Sequence, residues 1–265
     1  MLKKLFKYEF SYMSRTVPFG YLILIAFAIV NRGLQSLADS NDMFLLAESL
    51  SVLTLMLITY AVLLLPTIML IVRFYKSVVG DEGYLSFTLP VSASQLLVSK
   101  LLNAFVWTFF SCVAIALEVL ISSVGFVDYA EAFRQIFGAL GQLEAADPLL
   151  FWIIAVELFL LVIVVPIANF CQIYASMSIG QLAKKHKILG SIGAYIGINV
   201  VESVITSIIT GAITMSVSVN AELEYAFDYF SVMALVGIFV LFYAAVGTAL
   251  FLTSRYILSK KLNLE

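Results

Sequence analysis

The sequence predicts an all-α polytopic membrane protein with six transmembrane helices, an N-terminal amphipathic helix at the membrane interface, and both termini cytoplasmic. Three observations predict it. Hydrophobic residues make up 62% of the 265-residue chain and charged residues 12%, against about half and about a quarter in soluble domains. The apolar residues gather in continuous runs of about 20 or more, which as helices cross a ~30 Å hydrocarbon core with every backbone polar group satisfied internally. Barrel strands would instead alternate over ~10 residues. The third observation is the placement of charge. If both ends are inside, 13 of the 15 basic residues fall on inner segments and only Arg32 and Arg134 lie outside, the bias that orients membrane proteins.

In chain order, residues 1–16 place Leu2, Leu5, Phe6, Phe10 and Met13 at helical spacing, with Lys3, Lys4, Lys7, Ser11 and Arg15 on other faces. That pattern suits a helix lying in the inner headgroup region. Pro18 fits the first turn of span one, residues 17–37. Ala26-Phe27-Ala28 has the look of a signal-peptidase site, but the apolar run continues past it, so a retained span is expected. A polar outer segment with Asp39, Asp42 and Glu48 leads to span two, residues 50–72, where Pro66 is expected to kink the helix. Residues 73–94 form an inner loop, and span three covers 95–124. Residues 126–147 are too charged to span but carry Val127, Ala130, Phe133, Phe137 and Leu140 on one helical face, so an outer surface helix is expected. Asp147-Pro148 is a cap and first-turn pair for span four, residues 149–181, which contains Pro166. A basic turn, Lys184-Lys185-His186-Lys187, precedes span five, residues 189–219. There Gly193 and Gly197 have the small-residue spacing that lets helix backbones approach. An acidic outer segment leads to span six, residues 229–256. The whole, residues 1–265, reads as a single transmembrane domain.

Several function classes drop out. A net charge of -2 gives no reason to expect a nucleic-acid partner. Cys112 and Cys171 lie in apolar runs without paired spacing and are expected to be small core residues. No HExxH, GxSxG or Cys/His metal spacing occurs, and His186 sits among lysines as a solvated residue, so no metal site is expected. The phosphate-binding pattern GxxxxGK[ST] is also missing from the sequence, so this chain is not expected to hydrolyse ATP or act as an enzyme.

The inner loop carries the most chemistry. Gly80 and Gly83 supply unusual backbone angles around a short element. Asp81 and Glu82 suit a helix N-terminus. Tyr84, Leu85 and Phe87 offer apolar anchors for a partner groove, and Pro90 ends the element. Arg73, Lys76 and Lys100 around it are read as charges that set membrane orientation.

The string GDEGYLSFTLPVS at 80–92, followed by LLVSKLL at 96–102, resembles the first cytoplasmic loop of bacterial ABC transporter permeases of the type-two exporter family. It looks most like the subset whose loop reads GDEGYLxFTLPVS. The resemblance extends to the N-terminal interfacial helix, the six-span layout and the cytoplasmic C-terminus. It implies a plasma-membrane permease subunit whose loop forms a coupling helix docked on a separate ABC ATPase subunit. ATP and Mg would bind to that ATPase, with no cofactor on this chain. It also implies a second permease subunit, identical or related, around a central path, and export of a peptide, lipid or drug-like substrate. The segment from Gly83 to Pro90 is shorter than in the commonest family members.

Glu118, Glu157 and Glu202 fall inside spans three, four and five. Ionisable groups at such depth are costly and face a cavity or a partner rather than lipid. At ~1.5 Å per residue, Glu157 lies roughly 12 Å below the outer end of its span and Glu202 near mid-membrane. They either line a translocation cavity suited to a cationic or peptide substrate, or hydrogen-bond to a neighbouring helix as structural groups. Glu202 is the residue expected to face the cavity. The three glutamates also suit a proton-coupled secondary transporter. The acidic outer segments and the inner loop suit a non-transporting scaffold or sensor.

The topology is checked by labelling. In a Cys112→Ala/Cys171→Ala background, Arg134→Cys is expected to react with a membrane-impermeant maleimide in intact cells, and Lys260→Cys only after permeabilisation. The reverse pattern refutes the assigned orientation.

Overall fold

In a computed structural model the described residues are 2–38, 44–79, 92–183, 186–222 and 229–260. They form α1 (Leu2–Met13), α2 (Val17–Ala38), α3 (Leu45–Phe74) continued by a π-helical turn (Tyr75–Val79), α4 (Ala93–Ser122), α5 (Tyr129–Ala146), α6 (Pro148–Gly180), α7 (Lys187–Glu222) and α8 (Tyr229–Lys260). No strand occurs among these residues. Six of the helices, α2, α3, α4, α6, α7 and α8, are long and apolar enough to cross a membrane.

Local chemistry explains the helix ends. Asp147 caps α6 by accepting a hydrogen bond from Leu150 N at 3.1 Å, with Pro148 in the first turn, as the sequence predicts. Ser92 caps α4 in the same way, accepting from Gln95 N at 3.3 Å. Helix α3 starts earlier than the apolar run because Glu48, expected in the outer segment, sits in its first turn, where a carboxylate opposes the helix dipole. Asp39 and Asp42 lie outside the described residues. Pro66 and Pro166 both sit inside unbroken helices.

The chain divides into two compact units, Met1–Arg134 and Gln135–Glu265. In the first, α2 packs on α3 and α4, and α1 packs on α4. Leu24, Ala28, Leu55, Val62 and Ala114 form its core, with Tyr21, Ile58, Ile115 and Ile121 against them. Tyr21 donates its hydroxyl hydrogen bond toward the Trp107 carbonyl (3.2 Å), and its oxygen lies 2.9 Å from Ser111 Oγ. Phe10 of α1 stacks on Trp107 with ring centres 5.1 Å apart. Cys112, by contrast, is exposed rather than a core residue. It shares an α4 face with Phe109 and Val113, which are also exposed, so no described element of the first unit covers that side.

In the second unit α6 packs along α8 and α7, while α7 and α8 scarcely meet. The buried residues of α6, Cys171 and Tyr174 among them, all lie in its C-terminal half. Close approach there depends on small residues. A β-carbon on Gly247 would lie 3.3 Å from Ala168 Cα. One on Gly180 would fall on the backbone of Ser191, 2.6 Å from its Cα. Gly193 and Gly197, the pair singled out by spacing, have nothing within 4 Å. Gly180→Ala is therefore expected to lower the melting temperature of the purified protein or prevent its accumulation, because backbone cannot yield as a side chain does. Gly193→Ala and Gly197→Ala are expected to melt within a degree or two of wild type; equal damage from all three would refute this packing.

Candidate functional site

The loop residues Gly80, Asp81, Glu82, Gly83, Tyr84, Leu85, Phe87 and Pro90 lie outside the described residues. Both of its flanks are described, and a single ion cluster joins them. Glu9 of α1 accepts a hydrogen bond from Arg73 Nε at 3.1 Å and another from Lys100 Nζ at 2.8 Å. Lys100 also donates to Ser77 Oγ of the π turn at 2.7 Å. Arg73 and Ser77 precede the loop and Lys100 follows it, so one carboxylate ties α1 to the last turn before the loop and the first turns after it.

All four side chains are buried: Glu9 is 7% exposed, Arg73 6%, Ser77 4% and Lys100 3%. Removing ions from water costs several kcal/mol each, and good geometry must offset it. Aromatic rings complete the surroundings. The Arg73 guanidinium lies 4.9 Å from the centre of the Tyr8 ring and 4.7 Å from that of Tyr12. Lys100 Nζ sits 5.8 Å from the centre of Phe74, placements that favour a cation. One turn further along, Asn103 Nδ2 donates to Met13 Sδ at 3.2 Å. Of the three basic residues assigned an orienting role, only Lys76 is exposed. Arg73 and Lys100 are turned inward because Glu9 offers the compensating charge.

Sequence reasoning missed Glu9. Its signal was present: the one acid among the N-terminal lysines, on the same α1 face as Phe6 and Met13.

The three glutamates expected within spans divide between the two units. Glu118 belongs to the first unit, where it is 7% exposed and accepts from Ser122 Oγ at 3.2 Å. It lines a cleft of about 460 Å³ with Asn31, Gln35, Thr59 and Tyr60. Glu157 and Glu202 belong to the second unit. Glu157 borders an open apolar groove near the start of α6, and its Oε2 is buried without a hydrogen-bond partner among the described residues. Its carboxylate rests on Gly237 of α8, where a β-carbon would lie 2.8 Å from Oε1. Glu202 is half-buried on α7. Among the described residues no group of His, Cys, Asp and Glu is placed to hold a metal.

Compared with protein-family models, curated proteins and solved structures, the chain matches none of them.

The cluster's charge balance sets an order of damage. Glu9→Gln leaves two buried cations without their shared carboxylate and is expected to cost ~3–5 kcal/mol, read as a fall in thermal stability in detergent. Lys100→Met leaves the Glu9–Arg73 pair intact and is expected to cost less. The opposite order would show that Glu9 is not the centre of the cluster.

Proposed function

We propose that this chain is the membrane-spanning permease subunit of an ATP-driven exporter in a bacterial plasma membrane, with both termini and the loop at 80–90 in the cytoplasm. The observation that carries the reading is the ion cluster at the base of the loop. The two helix ends that bear the loop are fastened to each other and to α1 through Glu9. A force applied to the loop is then passed to α3 and α4 together rather than dissipated in two loose ends. A loop of this sequence, resembling that of type-two exporter permeases, suits a partner's groove: Tyr84, Leu85 and Phe87 as anchors, Asp81 and Glu82 at the start of the element. The energy source is a separate ATPase subunit carrying ATP and Mg. A second permease subunit, identical or related, completes the path. The helix α1 lies at the inner interface, with Lys3, Lys4 and Lys7 toward the headgroups, and its link through Glu9 to Arg73 and Lys100 makes it part of the same lever. The substrate is a peptide, lipid or drug-like molecule, and Glu118, Glu157 and Glu202 are the polar points along its way.

The test is association. Purified from native membranes, the protein is expected to bring an ATPase with it, and Tyr84→Ala or Phe87→Ala is expected to weaken that association by tenfold or more, the scale of an interface hot spot of about 2 kcal/mol. An ATPase that stays bound at full strength in both variants removes the loop from the coupling role. No ATPase at all refutes the permease reading.

A further inference from the structure

The cleft that contains Glu118 has a polar end whose hydrogen-bond directions are fixed. Ser51 Oγ donates to the Glu48 carbonyl at 2.7 Å, so it receives Asn31 Nδ2 at 2.8 Å. The Asn31 amide is thereby oriented with Oδ1 toward Gln35, whose Nε2 donates to it at 3.0 Å. This leaves Gln35 Oε1 as the terminal acceptor, and that oxygen is buried with no hydrogen-bond partner among the described residues. Reversing either amide would set donor against donor or acceptor against acceptor, so the chain of bonds has one consistent direction.

Among the described residues Glu118 is the only carboxylic acid lining the cleft and no basic residue lines it. Its one described partner is Ser122. Arg32, the only basic residue of α2, is turned to the Phe126 ring at 4.5 Å. It passes over Gly125, whose φ of 86° and missing side chain make room for the guanidinium. Of the remaining lining residues, Val52, Leu55, Met56 and Leu63 are apolar, and Thr59 and Tyr60 add hydroxyl groups. A volume of about 460 Å³ falls within the range of sites for drug-sized ligands.

We propose that this cleft binds a primary ammonium group carried on an apolar body. An ammonium has three donors and no acceptor: its charge meets Glu118, one N–H meets Gln35 Oε1, and the apolar body lies along α3. A neutral alcohol lacks the charge, and a quaternary ammonium lacks the N–H. This names a ligand class for the Glu118 position and takes from the transport reading only the purpose of the binding.

The experiment is equilibrium binding of radiolabelled 4-phenylbutylamine to the purified full chain in detergent, without any ATPase, by scintillation proximity. Saturable binding at one site per chain is expected. 4-Phenylbutanol and the N,N,N-trimethyl derivative are expected to compete at least about tenfold more weakly than the unlabelled amine, the loss that goes with one charge-assisted hydrogen bond. Glu118→Gln and Gln35→Met are each expected to weaken the amine by a similar factor while leaving alcohol competition within about twofold. Met56→Trp fills the cleft from its exposed side without touching the polar chain, and is expected to abolish binding of all three. Equal competition by amine and alcohol in wild type overturns the proposal. So does unchanged amine affinity in folded Glu118→Gln. If that variant does not fold, unchanged affinity in Gln35→Met overturns it equally. A negative result here leaves the permease reading standing, and loss of the ATPase leaves this binding result untouched.

Discussion

One carboxylate shared between two buried cations sets the conditions that the first unit has to meet. Glu9, Arg73 and Lys100 come from three different helices, and buried charges tolerate neither a lost partner nor a loose fit. Their geometry therefore dictates the register of α1 against α4 and of the end of α3 against both. The neighbouring contacts are consistent with that demand. Tyr8 and Tyr12 flank the guanidinium, Phe10 stacks on Trp107, and Asn103 reaches Met13. Apolar packing alone would permit α1 to slide or roll; a bifurcated ion pair does not.

The second unit is held by a different means. Within a membrane lipid tails are as apolar as leucine, so helices gain by approaching closely enough for dense packing rather than by hiding from water. Gly180 against Ser191 and Gly247 against Ala168 provide that approach. Gly237 does something related for a polar group, leaving space in which the Glu157 carboxylate rests against helix backbone. The two units thus use opposite chemistry, fixed charge in one and missing side chains in the other.

What the sequence made legible follows the same division. Length and hydropathy were enough to find the six long apolar helices, and Asp147-Pro148 announced the start of α6, because these signals are local. Facing was not legible. When lipid and protein interior are both apolar, periodicity carries little information about which side of a helix is covered. Hence Cys112 was read as core and is exposed, and Gly193 and Gly197 drew attention that belongs to Gly180. Glu118, Glu157 and Glu202 stand out by their cost at depth, yet nothing local tells that Ser122 holds the first while Glu157 Oε2 is buried with no hydrogen-bond partner among the described residues. Glu9 itself is marked as the one acid among the N-terminal lysines, but its pairing is not: the partners lie 64 and 91 residues away, and pairing at that separation leaves no pattern in any window of sequence.

Those separations also bear on the order of assembly. Helix α1 is made before the other described helices, but its carboxylate has no described partner until α3 is complete and no second one until Lys100 has been added. At about 5–20 residues per second, Glu9 waits on the order of 5–20 s for its second partner. Helix α1 is thereby fixed only after α2 and α3 have followed it, so it takes its final place once both flanks of the loop exist.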